Sequence, residues 1–412
     1  MVNIDYALNV ICKETKIIGT ENKDLLSSVN RVLAEDIYSK DNLPPFNKSS
    51  KDGYAIKSED TLNCSKENVC KLKVKGIIKA GDFINDTLKN GEAYKIMTGA
   101  PIPKGADAVV KIEDIEIKDD NLFIFEPINE NNNIIKFGEE IKIGDLAIKK
   151  DTVIRPVEIG VLASLGYSSV KVYKAPTVAL IITGDELVDI NSDIKNGQIR
   201  NSNEYSLKAL VTNLNAEVLS LGIVSDDREN LKEKMKYALE KADIVITSGG
   251  ASVGDYDFVK DILKEIGADI KFSKIAIKPG KPVTFATFNE KLFFALPGNP
   301  SSLITTFEKF VKPTIEKIMG KDDFHSEQFK VIAMYDFECE IGREKYVYVE
   351  IKKKDGNYYA YKVGSQCSNH LMTMSRANGI IVIPKEIGHV KAGEAFNGEF
   401  IFGINFKKYI KE

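Results

Sequence analysis

Val178-Ala179-Leu180-Ile181-Ile182 running into Thr183-Gly184-Asp185-Glu186, Glu217-Val218-Leu219-Ser220-Leu221 leading to Ser225-Asp226-Asp227, and Ile244-Val245-Ile246 running into Thr247-Ser248-Gly249-Gly250-Ala251-Ser252-Val253-Gly254-Asp255 decide the fold of this chain. Runs that are apolar on both faces and separated by helical patterns describe a parallel sheet covered on both sides. Ligands bind at the carboxyl ends of such strands, and that is where these glycine, hydroxyl and carboxylate groups fall. Two further turns join the cluster: Ile277-Lys278-Pro279-Gly280-Lys281-Pro282, and Leu296-Pro297-Gly298-Asn299-Pro300, where Asn299 suits a helix cap and Pro300 the first helical position.

Outward from this core the pattern changes. Residues Ile4 to Lys16 and Leu25 to Asp36 read as helices. Leu43 to Ala55 is an extended segment and turn displaying Asp52, where Asp-Gly permits a tight turn. From Lys71 to about Ile135 short alternating runs describe a small β unit, interrupted by Met97-Thr98-Gly99-Ala100 and followed by Gly138-Glu139-Glu140-Ile141. Arg155 to Gly166 is a helix with proline at its start and glycine at its end. Beyond Gly320 the strands are short, two of them joined through Asp355-Gly356, a hairpin signal. The expectation is an α/β multidomain chain: a central doubly wound domain (175–319), a β-rich insertion (41–140), a helical connecting domain (1–40 with 141–174) and a C-terminal all-β domain (320–412).

Composition narrows the chemistry. The 412 residues carry 57 basic and 60 acidic side chains, a net charge of -3, with no basic stripe for nucleic acid. No apolar run approaches the ~20 residues of a membrane span and no signal peptide opens the chain, so a cytoplasmic protein is expected. The five cysteines form no CxxC pair, and their odd number argues for free thiols rather than a disulfide framework. The three histidines all lie near the C-terminus, so carboxylates, lysines, hydroxyls and backbone amides must run the chemistry, which points to a hard cation and anionic substrates. The Ser248-to-Gly254 turn has the form of an anion-binding loop but lacks the ending of a P-loop. Glu186, Asp226 and Asp257 would converge on a cation; as single residues Asp226 and Asp257 equally suit helix caps.

Taken together, LPPFNKSSKDGYA (43–55), MTGAPIPKGADAVV (97–110), GEEI (138–141), RPVEIGVLASLG (155–166), TGDEL (183–187), SGGASVGDYD (248–257), IKPGKP (277–282) and LPGNPSS (296–302) resemble the MoeA family of molybdopterin molybdenumtransferases, related to the C-terminal domain of gephyrin. The resemblance implies a homodimer whose cleft uses both subunits and a reaction in which molybdopterin-AMP takes up molybdate with Mg²⁺-assisted release of AMP. It also implies roles by position: Asp52, Glu140, Glu186, Asp226 and Asp257 as catalytic acids, the last three holding Mg²⁺. Thr98, Thr183, Gly184, Ser248, Gly249, Gly250, Ser252, Lys278, Lys281, Pro297, Asn299, Pro300 and Ser368 would form the pterin and anion site. Glu140 stands where the family usually has Asp, and Tyr348 lies where many members have a second Arg nearby. A molybdopterin adenylyltransferase, as partner or as the alternative activity, and a gephyrin-like scaffold complete the expectations.

Overall fold

Thr177–Thr183 (β1), Glu217–Val224 (β2), Ile244–Ser248 (β3), Asp269–Phe272 (β4), Thr284–Phe288 (β5) and Lys291–Leu296 (β6) form one sheet in the order β2-β1-β3-β6-β5-β4. This is a computed structural model, which describes residues 1–249, 258–321 and 328–401. β2, β1, β3 and β6 run parallel, whereas β5 is antiparallel to both β6 and β4. The expected all-parallel sheet therefore ends in an antiparallel edge. The cause is local: Asn289 and Glu290 both take left-handed backbone (φ 45° and 64°), and a two-residue turn of this kind joins only antiparallel strands.

Alternation along β1 sends Val178, Leu180 and Ile182 to one face and Ala179 and Ile181 to the other. The first face packs against Leu207 and Val211 of Ser202–Asn213 (α1) and against Leu303, Phe307 and Ile315. The second is covered by Arg228–Lys241 (α2) and Phe258–Glu265 (α3), so the domain is doubly wound. The helix that opens at Pro300 runs Pro300–Thr306 (α4), passes through a π turn over Phe307–Val311, and resumes as Lys312–Ile318. Pro313 lacks an N–H and crowds the preceding turn, which accounts for the wider turn there.

Compactness divides the chain into two units, residues 1–23, 30–34 and 171 onward, and residues 24–29 and 35–170. In the first, Ile4–Glu14 is helical as expected, with Asn3 capping Tyr6 N–H, and its Ile4, Ala7, Leu8 and Ile11 join the α/β core. The helix expected over 25–36 is absent; only Leu26–Ser28 turns, and Asn30 in left-handed backbone (φ 63°) ends it. The C-terminal strands Glu344–Lys354, Asn357–Lys362, Phe329–Ala333, Ala395–Phe400 and Gly379–Ile383 close on themselves through the pairing of the first with the last. Asp355 and Gly356 (φ 48° and 79°) make the expected hairpin.

The second unit holds a six-stranded sheet in which Gly53–Ile56 lies between Ala108–Lys111 and Glu92–Ile96. Gly53 sits within this strand rather than in the expected tight turn. A Cβ there would meet the Val110 carbonyl oxygen at 2.0 Å, so close backbone approach selects the glycine. The thiol expectation needs a correction too: Cys64 and Cys70 form a disulfide, Cα to Cα 5.3 Å, while Cys12, Cys339 and Cys367 are free. The short turn after Ser58–Thr61 folds Cys64 back beside the start of Cys70–Ile78, and an odd total leaves room for one local pair. No helix among the described residues is long and apolar enough to cross a membrane.

Candidate functional site

Register brings the strand ends to one level. Thr183 lies beside Val224, Ile182 beside Ser248, and Ser248 beside Leu296. The residues that follow, Gly184-Asp185-Glu186, Ser225-Asp226-Asp227, Gly249 and Pro297-Gly298-Asn299-Pro300, therefore share one edge of the sheet. The Thr183 hydroxyl reaches the Ser248 carbonyl at 3.5 Å, and Gly249 N–H donates to the Leu296 carbonyl at 3.3 Å. Gly249 takes φ 95°, and a Cβ on it would stand 2.5 Å from the Thr183 carbonyl oxygen. Only glycine lets these two loops lie together.

The acids gather on one side of this edge. Asp226 N–H donates to Asp185 Oδ1 at 3.2 Å. Burial first, then the charges of Asp185 and Glu186, hold the half-buried Asp226 carboxyl above the usual carboxylate range. Asp227 is a helix cap, accepting Asn230 N–H at 2.8 Å at the start of α2. Among the described residues no three of His, Cys, Asp or Glu converge closely enough to hold a metal ion. Gly250, Ser252 and Asp257 lie outside the described residues.

Asn299 holds the cap position of α4 but does not cap it; its Nδ2 reaches Ser368 Oγ at 3.2 Å. Ser301 ties the same residue from the other side, its N–H and hydroxyl donating to the Ser368 carbonyl at 3.0 and 2.8 Å. Ser368 is thus joined to Asn299 and Ser301 of the proline turn, 69 and 67 positions away in sequence. Lys278, on the short strand Ile277–Lys278, pairs with Glu340 at 2.8 Å, and Arg343 binds the same carboxylate. Those two cations, Lys278 first, drive the Glu340 carboxyl down to about 2. Lys281 is exposed. Tyr348, near the position of the family's second Arg, is enclosed, with its hydroxyl 2.6 Å from Thr305 Oγ1.

In the other unit Asp52 and Thr98 meet: Asp52 Oδ1 accepts the Thr98 N–H at 2.8 Å and its hydroxyl at 3.1 Å. Glu140 is exposed in its turn, its N–H bound to the Leu43 carbonyl at 2.9 Å.

Sequence reading missed Asn203. It is buried on α1, and its Nδ2 donates to Ser248 Oγ at 3.0 Å and to the Gly298 carbonyl at 2.7 Å, joining two of the loops. Its Oδ1 has no partner among the described residues. The signal was the pair Asn201 and Asn203: Asn201 caps α1 by accepting Glu204 N–H at 3.2 Å, which leaves the second asparagine to be explained.

Doubly wound sheet, acid and glycine loops at its carboxyl edge, a separate β-rich unit and a closed C-terminal β domain together define a multidomain protein built around a doubly wound α/β module. Comparison with known proteins agrees. Residues 2–166 match the MoeA N-terminal region (domain I and II), 179–317 a probable molybdopterin binding domain, and 330–399 the MoeA C-terminal region (domain IV). The chain is 39% identical to a Staphylococcus aureus protein named molybdopterin molybdenumtransferase, over 90% of this chain and 88% of that one. It is 36% identical to a Haemophilus influenzae protein of the same name, over 96% and 97%. A solved molybdopterin biosynthesis MoeA protein from Pyrococcus horikoshii superposes with TM-score 0.83 at 30% identity, covering 98% of this chain and 100% of that one. The chain belongs to the MoeA family, transferases of molybdenum cofactor biosynthesis.

Proposed function

We propose that this chain inserts molybdate into adenylylated molybdopterin with Mg²⁺-dependent release of AMP. The observation that carries the reading is the in-register edge where Thr183, Val224, Ser248 and Leu296 end their strands and the acid loop stands beside two glycine-containing turns. Glycine turns at such an edge offer backbone donors to phosphate, and carboxylates beside them suit a cation that bridges to it.

Asp226 and Glu186 would hold Mg²⁺, with Asp257. Carboxylate oxygens are the donors a hard cation takes, and burial and neighbouring charge disfavour ionised Asp226, a repulsion that a bound divalent ion would relieve. When bound, the ion supplies neutralising charge at the phosphate linkage. The chain's own groups do the positioning. Thr183, Ser248, Gly249 and Asn299 shape the cradle, Lys278 and Lys281 supply positive charge, and Ser368 extends the anion side of the site beside Asn299. Asp52, Thr98 and Glu140 belong to the same reading as residues serving a cleft shared across a homodimer. We further assign the four-domain division given above, a molybdopterin adenylyltransferase as supplier of the pterin nucleotide, and action in the cytoplasm.

The test is one reaction: purified protein, molybdopterin-AMP, Mg²⁺ and molybdate without ATP, with AMP release and pterin-bound molybdenum followed together. Both products rising in step support insertion. Neither product, with ATP and free molybdopterin yielding the adenylylated pterin instead, would assign adenylylation.

A further inference from the structure

We propose that Glu340 is a built-in competitor for the oxyanion at Lys278, and so a residue that sets the affinity for the anionic substrate. The inference rests on the reading above only in taking Lys278 as an anion-binding lysine.

Strand pairing places Ile277 opposite Glu344 and Lys278 opposite Lys345, so the turn preceding Glu344 folds over the lysine. From that turn Glu340 offers a single oxygen, Oε2, to both Lys278 Nζ at 2.8 Å and Arg343 Nη2. An ammonium and a guanidinium meeting on one acceptor oxygen make the donor arrangement that also receives a tetrahedral oxyanion. Glu340 therefore stands in the chain's own structure where an external anion has to bind. The neighbouring cation is otherwise occupied, since Lys345 Nζ donates to the Glu338 carbonyl at 2.9 Å.

Three features make Glu340 displaceable rather than a fixed strut. Its side chain is 53% exposed, against 20% for Arg343, so the carboxylate swings outward at little packing cost while the guanidinium stays in place. It sits in a turn that Gly342 (φ 95°) completes, outside any strand. Two cations share one carboxylate, leaving a net positive charge that draws an anion inward. Competition of this kind weakens oxyanion binding, and it discriminates: a dianion displaces a single carboxylate more readily than a monoanion does.

The experiment uses the full chain as wild type, Glu340→Gln and Glu340→Ala. Molybdate is titrated calorimetrically, and its KM is measured in the AMP-release assay. An exposed ion pair is worth little, so the expected gain is modest: Kd and KM for molybdate fall about two- to fivefold in both variants, and the change falls on KM rather than kcat. Unchanged or weaker molybdate binding in both variants, with an active wild type, overturns the inference and leaves the proposed function standing. A wild type that neither binds molybdate nor releases AMP overturns the proposed function and this inference with it.

Discussion

Asn203→Ala gives the sharpest test of how the strand ends are held. The substitution removes two hydrogen bonds, to Ser248 Oγ (3.0 Å) and the Gly298 carbonyl (2.7 Å). Each contributes roughly 0.5–1.5 kcal/mol net, a loss of about 1–3 kcal/mol. It also removes Oδ1, an acceptor with no partner among the described residues, whose burial costs about 1–3 kcal/mol. Position 203 lies in the first turn of α1, where alanine is favoured over asparagine by up to about 0.7 kcal/mol. The opposing contributions nearly cancel, so unfolding free energy should change by no more than about 1 kcal/mol. Turnover should behave differently, because the serine turn and the proline turn lose their shared donor, and kcat/KM is expected to fall at least tenfold. Denaturant unfolding read beside AMP release separates the two. A destabilisation above about 3 kcal/mol would refute the unpaired acceptor, and wild-type kcat/KM would refute the tie as a functional device.

Gly249→Ala forces a Cβ to within 2.5 Å of the Thr183 carbonyl oxygen at φ 95°; strain and overpacking together predict a loss of about 2–5 kcal/mol, visible as a lower thermal midpoint. Asp226→Asn should abolish AMP release yet leave the thermal midpoint equal or higher, because the carboxylate it replaces is disfavoured by burial and by Asp185 and Glu186. A lowered midpoint would contradict that electrostatic account. For acid stability, the bonds from Arg155 depress the Glu158 carboxyl from 4.5 to about 2, so the folded state binds fewer protons than the unfolded one between those values. Its contribution is complete above pH 4.5 and lost as pH falls toward 2; with Arg155 largely exposed it is about 0.3–1 kcal/mol, and Glu158→Gln should flatten the stability profile in that window alone.

Much of this was legible because local pattern and tertiary fold agree. β1 and β3 are apolar on both faces in sequence and are covered on both faces in the fold, and Asp227 caps α2 as its position requires. What was not legible depended on partners distant in sequence or on backbone conformation that composition does not reveal. Gly53 reads as a turn beside Asp52, but the Val110 carbonyl 57 positions later is what selects it. The segment 25–36 has helical spacing, and a single left-handed Asn30 overrides it. Asn299 has the ideal type and position for a cap, yet Ser368 claims its amide. An odd cysteine count argues correctly against a framework and says nothing about one local pair.

The distribution of charge among the proposed site residues follows from the same long-range pairings. Asp185, Glu186 and Asp226 repel an anion, while Lys278 and Arg343 attract one and are already satisfied by Glu340. An anionic substrate is therefore repelled by the first cluster, and meets in the second a positive charge that Glu340 partly offsets. In the proposed reaction, binding becomes favourable when a cation neutralises the acids and Glu340 yields its place, since both changes raise the positive charge open to the anion. Coupled this way, affinity for the oxyanion should rise with Mg²⁺ in the wild type, and Glu340→Gln should need less Mg²⁺ to reach the same molybdate occupancy. Calorimetric titrations of molybdate at several Mg²⁺ concentrations measure both slopes; equal slopes in the two proteins would show that the clusters act independently.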